Sequence, residues 1–98
     1  MNNFEKLIAN DRPTLVDMFA TWCGPCKMMH PVLEEVKQAI GDQATIIKVD
    51  VDENQALAQQ YQVRAVPTLM IFKSGALVWQ QSGYQPASAI MDALRQFI

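Results

Sequence analysis

Only two residues of the chain are cysteines, and Cys23 and Cys26 are separated by Gly24 and Pro25. They follow an apolar run of strand length and precede a segment with helical periodicity, so the pair lies where a helix begins. Unpaired backbone N–H groups and the positive end of the helix dipole favour a thiolate there. The spacing predicts thiol–disulfide exchange, with Cys23 as the nucleophile and Cys26 as the resolving thiol that attacks the mixed disulfide.

The elements around the cysteines are indicated by apolar periodicity. Residues 14–19 form an apolar run typical of a strand buried on both faces. Residues 25–40 repeat apolar positions at helical spacing, and residues 45–51 form a second apolar run. A strand, a helix and a strand in this order predict a right-handed βαβ unit with parallel strands.

The pattern changes in the second half of the chain. Asp52, followed three residues later by Gln55, resembles a capping box, so a helix is expected to begin there. The apolar runs 68–73 and 76–80 are joined by a Ser-Gly pair at 74–75, which predicts a β-hairpin.

Two further helices are predicted near the ends of the chain. Pro86 suits the first turn of the last helix. The apolar stripe expected on that helix comprises Ile90, Met91, Leu94, Phe97 and Ile98. The residues that indicate a short first helix are Phe4, Leu7 and Ile8. A parallel βαβ half joined to an antiparallel ββα half predicts an α/β fold, with one mixed sheet covered by helices.

Length and composition limit the classes of function. The chain has 98 residues, 50% of them hydrophobic, a formal net charge of −2 and no basic run. One globular domain spanning residues 1–98 is expected. Nucleic acid and membranes are not expected as partners, because no basic cluster would neutralise phosphates or anionic lipid. The first residues do not resemble a secretory signal, so a cytoplasmic location is expected, although a removed leader would leave no trace.

One charged residue lies within an apolar run, and one proline lies directly before another such run. Asp17 stands in the middle of the run 14–19, where its carboxylate would be desolvated and its pKa raised. A solvated position at the edge of the sheet is the alternative. Pro67 lies where an apolar strand begins, which signals a turn and sometimes a cis peptide bond. The residues alone leave both possibilities open.

Three motifs occur in order: Trp22-Cys23-Gly24-Pro25-Cys26-Lys27, Val66-Pro67-Thr68, and Gly83 before the last helix. A lone Cys-x-x-Cys pair is a weak indication, because zinc sites use it too. The three motifs together, with matching apolar segments across nearly the whole chain, resemble the thioredoxin family. The resemblance implies the thioredoxin fold with a mixed four-stranded sheet. We expect the strand that commonly precedes the first helix in this family to be missing, because only three residues stand before Phe4.

The resemblance also implies roles for individual residues. It makes Asp17 the proton acceptor for Cys26 and makes Lys48 the residue that tunes Asp17, with an ordinary surface lysine as the alternative for Lys48. It implies a cis peptide bond before Pro67, beside the cysteines. The docking rim for substrates around Cys23 is expected to comprise Trp22, Gly24, Pro25, Val66, Pro67 and Gly83.

The function implied by the resemblance is that of a protein-disulfide reductase, a thiol–disulfide oxidoreductase that carries electrons to disulfides in client proteins. Neither a bound cofactor nor a metal is expected. Electrons would come from NADPH through a flavin-containing thioredoxin reductase. The expected partners are this reductase and disulfide-containing clients, and the chain is expected to act as a monomer.

Several residues depart from the family pattern. Phe19 occupies a position often held by a second tryptophan, Thr21 replaces a commonly charged or small residue, and Tyr84 follows Gly83 where a small residue is frequent. Tyr84 puts the client preference in doubt. His30 lies four residues after Cys26, so helical stacking could bring it onto the face of the cysteines. It either tunes proton transfer at Cys26 or simply faces solvent.

Three alternative functions remain. The first is an oxidase or isomerase of the same fold, against which the Gly24-Pro25 dipeptide argues. The second is a zinc site, for which Cys23, Cys26 and His30 would supply three ligands but no fourth. The third is an accessory subunit whose cysteines are incidental. Of the two tryptophans, Trp22 is expected at the docking surface and Trp79 in packing against the sheet.

Overall fold

The strands of the sheet come from both halves of the chain. The computed structural model describes residues 3–98. Its strands are β1 (Thr14–Phe19), β2 (Thr45–Asp50), β3 (Thr68–Lys73) and β4 (Ala76–Ser82). They form one mixed sheet in the order β2-β1-β3-β4, in which β1 and β2 are parallel and the other neighbours are antiparallel. The predicted four-stranded mixed sheet is confirmed.

Helices cover both faces of this sheet. They are α1 (Asn3–Ile8), α2 (Gly24–Ile40), α3 (Gln55–Gln60) and α4 (Ala87–Arg95). Apolar residues of α2 and α4 pack on one face, together with side chains of β1 and β3. Residues of α1 and α3 pack on the other face. The fold is therefore the predicted α/β arrangement, with βαβ followed by ββα.

The alternation of side chains along β1 fixes which face each residue serves. Leu15 belongs to the core beneath α2 and α4, whereas Val16 and Met18 belong to the core beneath α1 and α3. Successive side chains of a strand point to opposite faces, so Asp17 shares the side of Leu15. The carboxylate of Asp17 is thereby placed under α2, the helix that begins beside the cysteines.

The predicted hairpin is confirmed, and it closes with a two-residue turn. Ser74 and Gly75 both have positive φ, 50° and 85°, as the turn favoured between right-twisted strands requires. Their backbone N–H groups donate to the carbonyl oxygens of Asn10 and Ile8. The turn is therefore attached to the end of α1. Strand β4 continues to Ser82, two residues beyond its predicted end.

The capping box predicted at Asp52 is wrong. Helix α3 begins at Gln55 with Asn54 as its N-cap, and no side chain caps it. The carboxylate of Asp52 instead accepts a hydrogen bond from the indole of Trp22, and its backbone N–H donates to Asp50 Oδ1. These bonds hold Asp52 in the turn after β2, which ends at Asp50, one residue earlier than predicted.

Two residues assigned to apolar stripes are exposed, which corrects those predictions. Leu7 is 47% exposed, because the short α1 turns only Phe4 and Ile8 toward the sheet. Ile98 is 50% exposed. Helix α4 ends at Arg95, so Ile98 lies beyond the helical repeat, while Phe97 still packs against the core.

Candidate active site

The two cysteines lie at the first turn of α2, as predicted. Cys23 is the N-cap residue, with an extended backbone (φ −93°, ψ 116°), and Gly24 and Pro25 begin the helix. The backbone N–H of Cys26 donates to Cys23 Sγ at 3.2 Å. Cys23 and Cys26 form a disulfide across a Cα–Cα distance of 5.3 Å. The same N–H group would stabilise a thiolate on Cys23 once the disulfide is reduced.

Cys23 is covered from the second half of the chain. Only 4% of Cys23 and 7% of Cys26 is exposed, and they pack with Ala20, Phe19 and Val66. Cys23 Sγ lies 3.5 Å from the carbonyl oxygen of Val66. In the dithiol state, the thiol of Cys23 can donate to this oxygen. An attacking sulfur therefore lies beside a backbone segment 43 residues away in the chain.

The segment that covers Cys23 has the expected cis peptide bond between Val66 and Pro67. The carbonyl oxygen of Pro67 accepts a hydrogen bond from the N–H of Gly83 at 2.7 Å. Gly83 has a φ of +89°, a conformation that a side chain would disfavour. Through this hydrogen bond, Gly83 holds the backbone segment that lies beside Cys23.

The surface next to the disulfide is apolar and accessible. Trp22 is 70% exposed, and its indole Nε1–H donates to Asp52 Oδ2 at 2.9 Å. A Cβ added at Gly24 would meet no atom within 4 Å, so the surface at this position is open. Tyr84, which follows Gly83, is 44% exposed. The indole of Trp22 is therefore held at the surface by a charged acceptor.

Sequence reasoning missed two residues of this surface. Asp52 was assigned to a helix cap rather than to the indole of Trp22, and no sequence signal distinguishes these two partners. Met28 is 61% exposed and lies one turn after Gly24 and Pro25 on α2. Its helical spacing from Pro25 could have identified it.

A cavity of about 430 Å³ opens beneath the disulfide. Its lining comprises Asp17, Phe19, Ala20, Thr21, Cys26, Lys27, His30 and Lys48. Asp17 is 1% exposed, and its Oδ1 has no hydrogen-bond partner among residues 3–98. Burial raises the pKa of Asp17 to about 6, and electrostatic interactions with Lys48 and His30 partly offset this effect. The expected desolvated carboxylate is confirmed, and the solvated alternative is wrong.

Lys48 and His30 occupy the open side of this cavity. Lys48 pairs with Asp17 in the register of β1 and β2. Its ammonium group donates to Nδ1 of His30 at 2.5 Å. Both side chains are exposed, whereas the carboxylate that they face is not. The structure therefore brings His30 onto the face of Cys26, as helical stacking predicted.

Trp79 lies away from the cysteines, and in the part of the chain that the structure describes the zinc alternative lacks the group of ligands that it requires. Trp79 packs against the core beneath α2 and α4, as expected. Within residues 3–98, no group of three or more His, Cys, Asp and Glu side chains is placed to hold a metal ion. The zinc alternative for Cys23, Cys26 and His30 is not favoured. None of the helices in the same range is long and apolar enough to cross a membrane.

Comparisons with known proteins agree with this geometry. The Thioredoxin family model matches residues 1–96. A thioredoxin from Alicyclobacillus acidocaldarius is 50% identical over 84 residues, which are 86% of this chain and 80% of the relative. A thioredoxin from Bacillus subtilis is 45% identical over 84 residues, 86% of this chain and 81% of its own. Among solved structures, a mutant thioredoxin from Halobacterium salinarum matches with a TM-score of 0.89 and 39% identity, over 99% of this chain and 84% of that one.

Proposed function

The chain belongs to the thioredoxin family, and from this premise we propose how its residues reduce disulfides in client proteins. It is a protein-disulfide reductase and a thiol–disulfide oxidoreductase. One observation carries the proposal: Cys23 caps α2, with the N–H of Cys26 directed at its sulfur. The same helix turn holds the second thiol within reach of the first.

The reaction proceeds in two exchanges. The Cys23 thiolate attacks one sulfur of the client disulfide, so that a mixed disulfide forms and the first client thiolate leaves. Asp17 then accepts the proton of Cys26, and the resulting thiolate attacks Cys23 Sγ. The Cys23–Cys26 bond forms, the bond from Cys23 to the client breaks, and the second client thiolate leaves. Two electrons have passed from the dithiol to the client.

The docking rim comprises Trp22, Gly24, Pro25, Val66, Pro67 and Gly83. The backbone of Val66 lies beside the sulfur that reacts. An extended client segment that pairs with this backbone would bring its disulfide to Cys23 through main-chain contacts. Main-chain pairing recognises no particular side chain, which suits a reductase with many clients.

The partners of the reaction follow from the family. The dithiol is restored by a flavin-containing thioredoxin reductase that uses NADPH, and the protein itself needs no resident cofactor. It acts in electron transport as a monomeric single domain, residues 1–98, in the cytoplasm. The net charge of −2 and the lack of a basic run support protein clients rather than nucleic acid.

The reduction potential of the Cys23–Cys26 pair tests this function. The protein is equilibrated with defined thiol–disulfide buffers, and free thiols are counted by mass after alkylation. A potential below that of the cytosolic glutathione pool is expected. A potential well above it would instead indicate an oxidase or isomerase of the same fold.

Replacement of Trp22 by alanine is expected to weaken client docking. Truncation of a tryptophan that docks a partner costs about 1–2 kcal/mol, so kcat/KM for a protein disulfide should fall about tenfold. Reduction of a small aromatic disulfide, which makes little contact with the rim, should change less than about twofold. Steady-state rates with both substrates give the comparison.

Leu77→Ala is the matched control for Trp22→Ala. Leu77 is 41% exposed, but it pairs with Phe72 near the β3–β4 turn, at the far end of the sheet from the cysteines. Its loss should leave both rates unchanged. Equal rate losses for the protein and the small disulfide in Trp22→Ala would assign Trp22 to the chemistry rather than to docking.

A further inference from the structure

His30 joins two walls of the cavity beneath the disulfide. It lies on α2 one turn after Cys26, while Lys48 lies on β2 opposite Asp17. The Lys48 ammonium donates to Nδ1 of His30. An ammonium group has donors only, so Nδ1 must be the acceptor, and the neutral imidazole carries its proton on Nε2. The contact therefore fixes the tautomer of His30.

This bond restrains a flexible side chain. A lysine side chain has four rotatable bonds, and its ammonium is strongly hydrated. Because Lys48 is exposed, a free ammonium would be drawn toward water. Asp17 is buried in the middle of β1 and cannot follow it. The position of the positive charge over Asp17 thus depends on what holds Nζ of Lys48.

Lys48 and His30 are the groups whose electrostatic interactions lower the pKa of Asp17, and the other charged groups around the cavity are placed differently. Lys27 lines the cavity from α2, and Glu34 lies one helical turn after His30, on the exposed side of α2. Asp50 follows at the end of β2, where its carboxylate accepts from the backbone N–H of Asp52. On the remaining side, β3 places the uncharged Leu69 against Asp17.

We propose that His30 is a positioning residue whose Nδ1 holds the Lys48 ammonium over the Asp17 carboxylate. In this position the ammonium keeps Asp17 ionised and able to accept the proton of Cys26. The inference rests on the proposed function, since the ionisation of Asp17 matters only when Cys26 attacks the mixed disulfide. His30 changes the fraction of Asp17 that is carboxylate and makes or breaks no bond to sulfur.

Removal of the imidazole is expected to raise the pKa of Asp17 further, because burial is then offset less. If the acid dissociation constant of Asp17 falls about tenfold, the carboxylate fraction falls about fivefold at pH 6 and about twofold at pH 7. At pH 9 the fraction hardly changes. The expected result is a resolving step that is slower at acid pH, with its pH profile displaced to higher pH.

A two-phase kinetic experiment separates the steps. Reduced protein is mixed with an aromatic disulfide whose thiolate absorbs light, from pH 5.5 to 9. The first thiolate released reports attack by Cys23, and the second reports attack by Cys26. In His30→Ala, the second phase should be about fivefold slower at pH 6 and equal to the parent at pH 9. His30→Asn, which retains an acceptor for Lys48, should recover most of the rate.

Controls make the assignment specific. In an Asp17→Asn background, His30→Ala should have no further effect on the second phase. Lys37→Ala alters an exposed residue of the same helix outside the cavity lining and should leave both phases as in the parent. An unchanged pH profile in His30→Ala would overturn the proposal, as would a His30→Asn variant as slow as His30→Ala. Loss of both phases in the parent protein would instead refute the proposed function.

Discussion

Replacement of Cys23 by serine is expected to abolish disulfide reduction, with kcat/KM for a client lowered by at least about 10⁴-fold. A hydroxyl at this position is almost never ionised at neutral pH, and it cannot form the mixed disulfide. The helix itself should survive the change. Serine is a favoured N-cap residue, so its oxygen can accept the N–H of Cys26 that Cys23 Sγ accepts now. The measurement is the rate of client reduction alongside the thermal unfolding midpoint.

Cys26→Ser should behave differently, because it retains the nucleophile. Attack by Cys23 proceeds, and the mixed disulfide with the client then accumulates, since no thiol is held beside it to release the product. Mass spectrometry of the non-reduced protein should show one client attached to Cys23. Release of client at the parent rate from this variant would contradict the resolving role of Cys26. Full function in a variant with both cysteines replaced would favour an accessory subunit.

Replacement of Asp17 by asparagine is expected to stabilise the fold at neutral and alkaline pH. The buried carboxylate titrates near pH 6, whereas an unfolded aspartate titrates near 3.8. That difference corresponds to roughly 3 kcal/mol by which ionisation opposes folding. An uncharged amide of the same shape avoids this cost, although it is also buried in a partly apolar site. A net gain of about 1–3 kcal/mol at pH 8 is expected from urea unfolding.

The stability gained by Asp17→Asn should increase with pH. The folded carboxyl has the higher pKa, so the folded state holds its proton more tightly and the parent loses stability as the pH rises from about 4 to about 6. Below pH 3.8 the carboxyl is protonated in both states, and above about pH 6 the loss is complete. The advantage of Asp17→Asn should therefore grow by about 3 kcal/mol between pH 3.5 and pH 8. The exposed Asp11→Asn change is the control and should show no such growth.

The same variant should be defective in catalysis. Without a carboxylate beside Cys26, release of the mixed disulfide should slow by at least about tenfold, while attack by Cys23 changes less than about twofold. Stopped-flow measurement of the two phases distinguishes these effects. Equal effects on both phases, or none, would remove Asp17 from the role of proton acceptor even if its effect on stability is confirmed.

The sequence predicted those parts of the fold and the site that depend on local patterns of residues. The positions of the cysteines beside a helix start, of the carboxylate inside an apolar strand and of the Ser-Gly turn were predicted, although Asp17 had a solvated alternative and the cysteines a zinc alternative. Contacts between distant polar side chains were not predictable in this way. Asp52 had two possible partners, a helix N-terminus and an indole, and only the packed chain shows that Trp22 takes it. Likewise, no pattern shows that Lys48 is bonded to His30, because β2 and α2 meet only after the sheet forms.

The sequence also failed to predict that Leu7 and Ile98 are exposed. Helical spacing placed Leu7 and Ile98 on apolar stripes, yet a stripe is buried only where a neighbouring element covers it. Leu7 lies on the face of α1 that is turned away from the sheet, whereas Ile98 lies beyond the end of α4 at Arg95. Periodicity predicts which residues share a face, and it does not predict where that face ends.

The contact between Cys23 and Val66 joins two halves of the chain that contribute different residues to the site. The thiols and the groups around their protons come from the first half of the chain, while Val66, Pro67 and Gly83 come from the second. Substitutions near Val66, Pro67 and Gly83 would alter one side of the proposed docking rim without changing the two thiols. The other side of the rim, with Trp22, lies in the same segment as the thiols. After gene duplication, substitutions in the second half of the chain can therefore change the range of client proteins while the two thiols stay the same.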